Sequence, residues 1–143
     1  MNTKDRQRKR IILIDDDPFF GSIMKQVAAQ RGVELSHFLS LADLGFVSLL
    51  GQYDVAILDY DLGNMTGVEI GEYLTAFFGD LPMLLISSTM RRARKCDLAD
   101  GRAQPFVDKK RGYDAVMSAA LALIGNRSSG RGSLSHLLEL GTG

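Results

Sequence analysis

One design recurs along this chain: a short, unbroken apolar run that stops abruptly on a polar and reactive side chain. Val55-Ala-Ile-Leu58 stops on Asp59, and Ile11-Ile-Leu-Ile14 stops on Asp15-Asp16-Asp17-Pro18. Met83-Leu-Leu-Ile86 stops on Ser87, and Pro105-Phe-Val-Asp108 leads to Lys109. Short continuous apolar runs suit strands buried on both faces, which occur in parallel sheets covered by helices. Segments with helical spacing separate them. Five strand-like runs alternating with five helix-like ones predict an α/β fold, a doubly wound five-stranded parallel sheet with right-handed crossovers, flanked by five helices.

In a sheet of that kind functional groups gather beyond the carboxyl ends of the strands, where the winding reverses. Asp15, Asp16 and Asp59 would meet there. Like charges a few ångströms apart repel by roughly 4 kcal/mol per pair at an effective dielectric of about 20. Such a cluster costs stability unless a cation sits in it. Carboxylate oxygens without Cys or His nearby favour magnesium over zinc. Ser87 and Lys109 end the two later runs and add a hydroxyl and an ammonium. Carboxylates around a metal, a hydroxyl and an ammonium meet the needs of phosphoryl transfer, which are positioning and neutralisation of charge on the equatorial oxygens. A carboxylate can itself be the nucleophile and form an aspartyl phosphate.

With these residues in order, and with Met65 and Gly67 in the loop after Asp59, residues 10 to 125 resemble a receiver domain of the bacterial two-component response regulators. The resemblance implies a flavodoxin-like receiver fold with strand order 2-1-3-4-5. It implies Asp59 as phospho-acceptor, with Ser87 and Lys109 binding the phosphoryl group. It further implies Mg2+ held by Asp16, Asp59 and the backbone carbonyl of Asp61, with Asp15 acting through water. Phe106 would be the aromatic that swings when Ser87 is drawn inward. A histidine kinase or histidine phosphotransfer protein would supply the phosphoryl group. On this reading the chain is no enzyme beyond its own phosphorylation and dephosphorylation.

The bulk of the chain agrees with a small signalling domain. Its 143 residues make one domain, and 45% hydrophobic with 24% charged residues is ordinary for a globular protein. Seventeen basic residues balance seventeen acidic ones, so no overall charge points to nucleic acid. A lone cysteine, Cys96, excludes an internal disulfide, and no apolar stretch reaches the length of a membrane span, so a cytoplasmic protein is expected.

Residues 1–10 read as a solvated basic tail, 11–125 as the receiver, and 126–143 as a flexible linker and C-terminal tail. The chain is either a stand-alone receiver or one cut from a longer protein. Pro18 opens a helix whose body, Phe19 to Arg31, carries Phe20, Ile23, Met24, Val27 and Ala28 inward, and Gly32 ends it. Val33 to Leu39 is a mixed strand suited to the sheet edge. The lone His37 in it reads as a surface residue rather than a ligand. A helix capped by Ser40 runs to about Leu50. The next starts near Gly67 and carries Val68, Ile70, Tyr73, Leu74 and Phe77 toward the core.

Met90-Arg-Arg-Ala-Arg-Lys95 is basic and poor in apolar residues, so a helix there would hold on weakly. In the family that this chain resembles, this helix commonly forms the output surface together with the next strand and helix. Residues 89–111 are therefore the expected contact for a downstream, acidic protein. The last helix, Gly112 to Ile124, is apolar on much of its surface, at Val116, Met117, Ala119, Ala120, Leu121, Leu123 and Ile124, which suggests a homodimer or partner contact.

Three positions depart from the family pattern. Lys110 replaces a proline that usually follows the lysine in a cis bond, so a trans bond or a rearranged loop is expected. Gly63 and Thr66 replace a proline and an acid and are expected to loosen the loop after Asp59. Two rival readings accompany the main one: a receiver-like interaction module that is never phosphorylated, and a haloacid-dehalogenase-type phosphatase using Asp59-Tyr60-Asp61.

Overall fold

The computed structural model describes residues 8–44, 52–62, 65–78, 81–88 and 105–125. Their centre is a parallel sheet of β1 (Arg10–Ile14), β2 (Glu34–Phe38), β3 (Val55–Asp59), β4 (Met83–Ser87) and β5 (Phe106–Asp108). The strands lie in the order β2-β1-β3-β4-β5, all pairs parallel. The expected order is thus observed. Burial explains which runs form which strands. Ile11 to Ile14 and Val55 to Leu58 are wholly buried, as strands sandwiched between helices require. The mixed sequence of β2 lies at one edge, where its outer side needs fewer apolar residues.

β1 begins one residue earlier than expected, inside the segment read as a basic tail. Arg10 N–H donates to Asp54 Oδ2 at 2.9 Å, Asp54 N–H donates to the Arg10 carbonyl at 2.8 Å, and Glu34 N–H to the Lys9 carbonyl at 2.9 Å. Backbone pairing therefore recruits polar residues that periodicity assigns to solvent.

Side chains alternate across the sheet and build two cores. Ile11, Leu13, Val55, Ile57, Leu84, Ile86 and Val107 pack on one face with α1 (Pro18–Gln30) and α3 (residues 113–125). Ile12, Ile14, Ala56, Leu58 and Leu85 pack on the other with Ile70 of α2 (Gly67–Phe78). Each fully buried Ile or Leu contributes roughly 1.5–3 kcal/mol relative to exposure, so these two layers dominate the stability.

The helix ends follow from local chemistry. Asp17 caps α1 by accepting from Phe19 N–H at 3.0 Å, and Pro18 occupies the first turn. At the other end Val33 N–H donates to Ala28 O and Gly32 N–H to Ala29 O, a pair of bonds that needs the positive φ of 70° at Gly32. α2 opens with a reciprocal cap. Thr66 N–H donates to Glu69 Oε1 at 3.1 Å and Glu69 N–H donates to Thr66 Oγ1 at 3.2 Å. Thr66 therefore fastens the chain where loosening was expected; Gly63 lies outside the described residues.

Three further expectations are revised. Tyr73 is 42% exposed rather than in the core. Ile70 and Gly71 face inward, and at about 100° per residue Tyr73 lies some 160° around the helix from Gly71. His37 is half-buried, not a free surface residue. The broad apolar face of α3 is spent on this chain's own core, with Val116, Met117, Ala120 and Ile124 buried and Ala119, Leu121 and Leu123 packed against them. Of the helix expected after Ser40, a single 3-10 turn, Ala42–Leu44, falls within the described residues. The basic segment 89–104 and the tails 1–7 and 126–143 lie outside them. Among the described residues no helix is long and apolar enough to cross a membrane.

Candidate functional site

The winding of the sheet reverses between β1 and β3, and the carboxyl ends of these two strands carry the acids. Asp15 follows β1 directly and Asp59 is the last residue of β3. The register aligns Ile11 with Val55 and Ile14 with Leu58, so the two acids leave the sheet side by side. One carboxylate oxygen from each of Asp15, Asp16 and Asp59 lies within 4.8 Å of the others. Asp15 and Asp59 are buried, while Asp16 is exposed.

Lys109 enters from the end of β5. Its Nζ lies 2.7 Å from Asp15 Oδ2 and 3.6 Å from Asp59 Oδ2. It also lies 4.5 Å from the centre of the Phe20 ring, and that ring packs at 5.4 Å against Tyr113 of α3. Burial by itself pushes the ammonium toward losing its proton. The hydrogen bond and charge of Asp15, with the charges of Asp59 and Asp17, outweigh burial and hold the lysine above its ordinary value of 10.5. Among the described residues one ammonium faces three carboxylates, an excess of negative charge at the rim.

Asp15 is held on every side that the structure describes. Its Oδ1 accepts from Asp17 N–H at 2.9 Å and its Oδ2 is paired with Lys109. Its N–H donates to the Phe38 carbonyl at 3.0 Å. Both of its carboxylate oxygens are thus engaged by protein groups. Asp16 is exposed, and its carboxylate and that of Asp59 can offer oxygens to a hard cation. Three clustered carboxylates with oxygen-only chemistry fit Mg2+ or a similar ion.

Ser87 is buried at the end of β4, where Asp59 pairs with Ile86 and Ser87 with Asp108. Register therefore places it on the same rim. Tyr60 N–H donates to the Ile86 carbonyl at 2.8 Å, drawing the chain after Asp59 against β4. Asp61 begins a two-residue antiparallel ladder with Thr66, next to the rim. Phe106 is half-buried, with its ring 6.1 Å from that of the buried Tyr60. The peptide bond between Lys109 and Lys110 is not cis, and the chain turns into a 3-10 turn, Lys109–Arg111. Asp108 caps it by accepting from Lys110 N–H at 2.9 Å, a bond that a proline at position 110 would forfeit.

Sequence reasoning missed four contributors. Phe20 reads from its spacing as core alone, and its second use as the floor under Lys109 depends on a residue 89 positions away. Asp17 has no role in the sequence reading, yet it caps α1 and donates its N–H to Asp15 Oδ1. His37 Nε2 lies 2.7 Å from the Asp15 carbonyl. For Tyr60, an aromatic between two acids just past a buried strand was the available signal.

The switch point of this doubly wound parallel sheet thus carries clustered acids beside a lysine. The family model for the response regulator receiver domain matches residues 11–121, and the chain belongs to that family. Among solved structures it is similar to a response regulator receiver domain protein from Clostridium thermocellum, with 16% identity, a TM-score of 0.69, and 84% of this chain and 97% of that one covered. It is also similar to the chemotaxis protein CheY4 from Vibrio cholerae, with 15% identity, a TM-score of 0.67, and 81% and 98% covered. A third is the response regulator TrrA from Thermotoga maritima in complex with Mg2+-BeF, with 22% identity, a TM-score of 0.65, and 80% and 98% covered. A comparison with curated protein sequences returned no match.

Proposed function

We propose that this chain is a phospho-accepting switch that takes a phosphoryl group from a phosphohistidine donor onto Asp59. The observation that carries the reading is the placement of the Asp59 carboxylate, within 4.8 Å of the acids Asp15 and Asp16 and 3.6 Å from Lys109 Nζ. An Asp59 oxygen would attack phosphorus, forming the O–P bond as the P–N bond to the donor imidazole breaks. Lys109 would stabilise negative charge on the phosphoryl oxygens, and Ser87 would receive one of them by its hydroxyl. Mg2+, held by Asp16, Asp59 and the Asp61 carbonyl, would supply further charge neutralisation. Asp15, occupied by Lys109 and Asp17, is suited to act through water rather than directly.

The donor would be a histidine kinase or histidine phosphotransfer protein, and the setting cytoplasmic. The chain would catalyse only its own phosphorylation and dephosphorylation. Output would pass through residues 89–111, of which Lys110 and Arg111 are exposed, by rearrangement of Ser87 and Phe106. Acetyl phosphate with Mg2+ tests the chemistry: wild type should gain one acid-labile phosphate and Asp59→Asn none. Undiminished labelling of the Asn variant would overturn the assignment. No labelling of a folded, Mg2+-binding wild type would favour a receiver used only for binding, and steady turnover of a phosphate ester would favour a phosphatase.

A further inference from the structure

His37 stands on the edge strand β2, level with Leu13 of β1. Its Nε2 lies 2.7 Å from the Asp15 carbonyl oxygen, beyond the last rung of the β1 strand. A carbonyl only accepts, so Nε2 is the protonated nitrogen in this contact. The ring reaches the carbonyl by lying against the backbone of α1 at Gly21. A Cβ on Gly21 would fall 2.1 Å from His37 Nδ1 and 2.2 Å from its Cε1, so only glycine leaves room for the ring.

The Asp15 carbonyl belongs to the planar peptide that carries Asp16. Fixing that plane fixes the direction in which the Asp16 backbone leaves the strand. The need for such a hold is local. Asp16 is exposed, and among the described residues no hydrogen bond or ion pair restrains its carboxylate, although one of its oxygens lies within 4.8 Å of those of Asp15 and Asp59.

We propose that His37 is a positioning residue for the acidic rim: its Nε2–H bond sets the Asp15–Asp16 peptide so that Asp16 stands ready to hold the cation, and Gly21 is the space that admits the ring. This rests on the reading of the rim as a Mg2+ site. Outer partners that orient ligands commonly account for 10–100-fold in metal affinity, and the effect here is expected toward the lower end, about tenfold.

The test is calorimetric titration of the intact chain with MgCl2, comparing wild type, His37→Leu, His37→Gln and Gly21→Ala. Leu keeps bulk without a donor, and Gln restores a donor. Leu and Gly21→Ala should weaken Mg2+ about tenfold, whereas Gln should stay within about threefold of wild type. Unchanged affinity in the Leu variant, with wild type binding, overturns this inference alone; no Mg2+ binding by wild type overturns it together with the metal reading. Equal weakening by Leu and Gln in step with their melting temperatures assigns His37 a structural role and overturns it as well. Should the variants fail to fold, long-range 1H–15N spectra of wild type decide: a protonated Nε2 is required, and a bare Nε2 refutes the bond.

Discussion

Lys109 Nζ lies 4.5 Å from the centre of the Phe20 ring, so the ammonium that faces Asp15 and Asp59 rests on an aromatic floor. The negative face of the ring attracts the cation while the acids attract it from the other side. The flexible lysine stem is thereby restrained from both sides.

That contact should appear as a coupling. In a double-mutant cycle of Phe20→Leu and Lys109→Met, an interaction energy of about 0.5–2 kcal/mol is expected from denaturant melts. Strict additivity of the two losses would deny the floor any electrostatic part.

The raised pKa of Lys109 has a definite sign in stability. A group more basic when folded contributes fully below its unfolded value, about 10.4 for lysine, and loses the contribution as pH climbs through the folded value. The stability gap between wild type and Lys109→Met should therefore stay constant from about pH 7 to 9 and close only above about pH 10.4. Closure near neutrality would mean that the paired acids do not hold the proton on the lysine as the geometry implies.

Excess negative charge at the rim makes a prediction for metal-free protein. Asp59→Asn removes repulsion from Asp15 and Asp16 while weakening the ion pair with Lys109 at 3.6 Å, and with the repulsion the larger effect its melting temperature should rise without Mg2+. Wild type should gain from Mg2+ by mass action, roughly 2.7 kcal/mol at a hundredfold excess over Kd. Asp16→Asn should lose most of that gain. A metal-dependent shift that survives in Asp16→Asn would place the ion elsewhere.

Thr66 and Glu69 bond reciprocally at the start of α2. Thr66→Ala should cost about 1 kcal/mol in chemical denaturation, and Glu69→Ala should add little on top of it, because each partner depends on the other. Independent, additive losses would argue against the reciprocal cap.

How much of this was legible in the sequence depends on what each residue is asked to do. Ile11 to Ile14, Val55 to Leu58 and Met83 to Ile86 could be read as buried strands because uninterrupted apolar runs have few other uses. Asp15, Asp16, Asp59 and Lys109 could be brought together because parallel winding puts strand ends on one rim. Tyr73 could not be placed, since its spacing fits the stripe and only the packing of Gly71 on the sheet shows which way the helix is turned. Thr66 looked like a lost acid because its value lies in Glu69, three residues on. His37 looked bland because its partner is a backbone carbonyl, which leaves no mark in side-chain patterns.

The two-layered sheet has a consequence for counting. Ile11, Leu13 and Asp15, Val55, Ile57 and Asp59, and Val107 and Lys109 all bear odd numbers, and the apolar members all belong to the layer of α1 and α3. Between β1 and β3, whose register pairs Ile14 with Leu58, alternation carries Asp15 and Asp59 to a common side. Leu85 and Phe106 belong to the opposite layer, and Ser87 follows Leu85 in step. Deleting a single residue between Val55 and Asp59 would therefore turn the Asp59 carboxylate away from Asp15 and Lys109, an injury that no substitution at either position could mend.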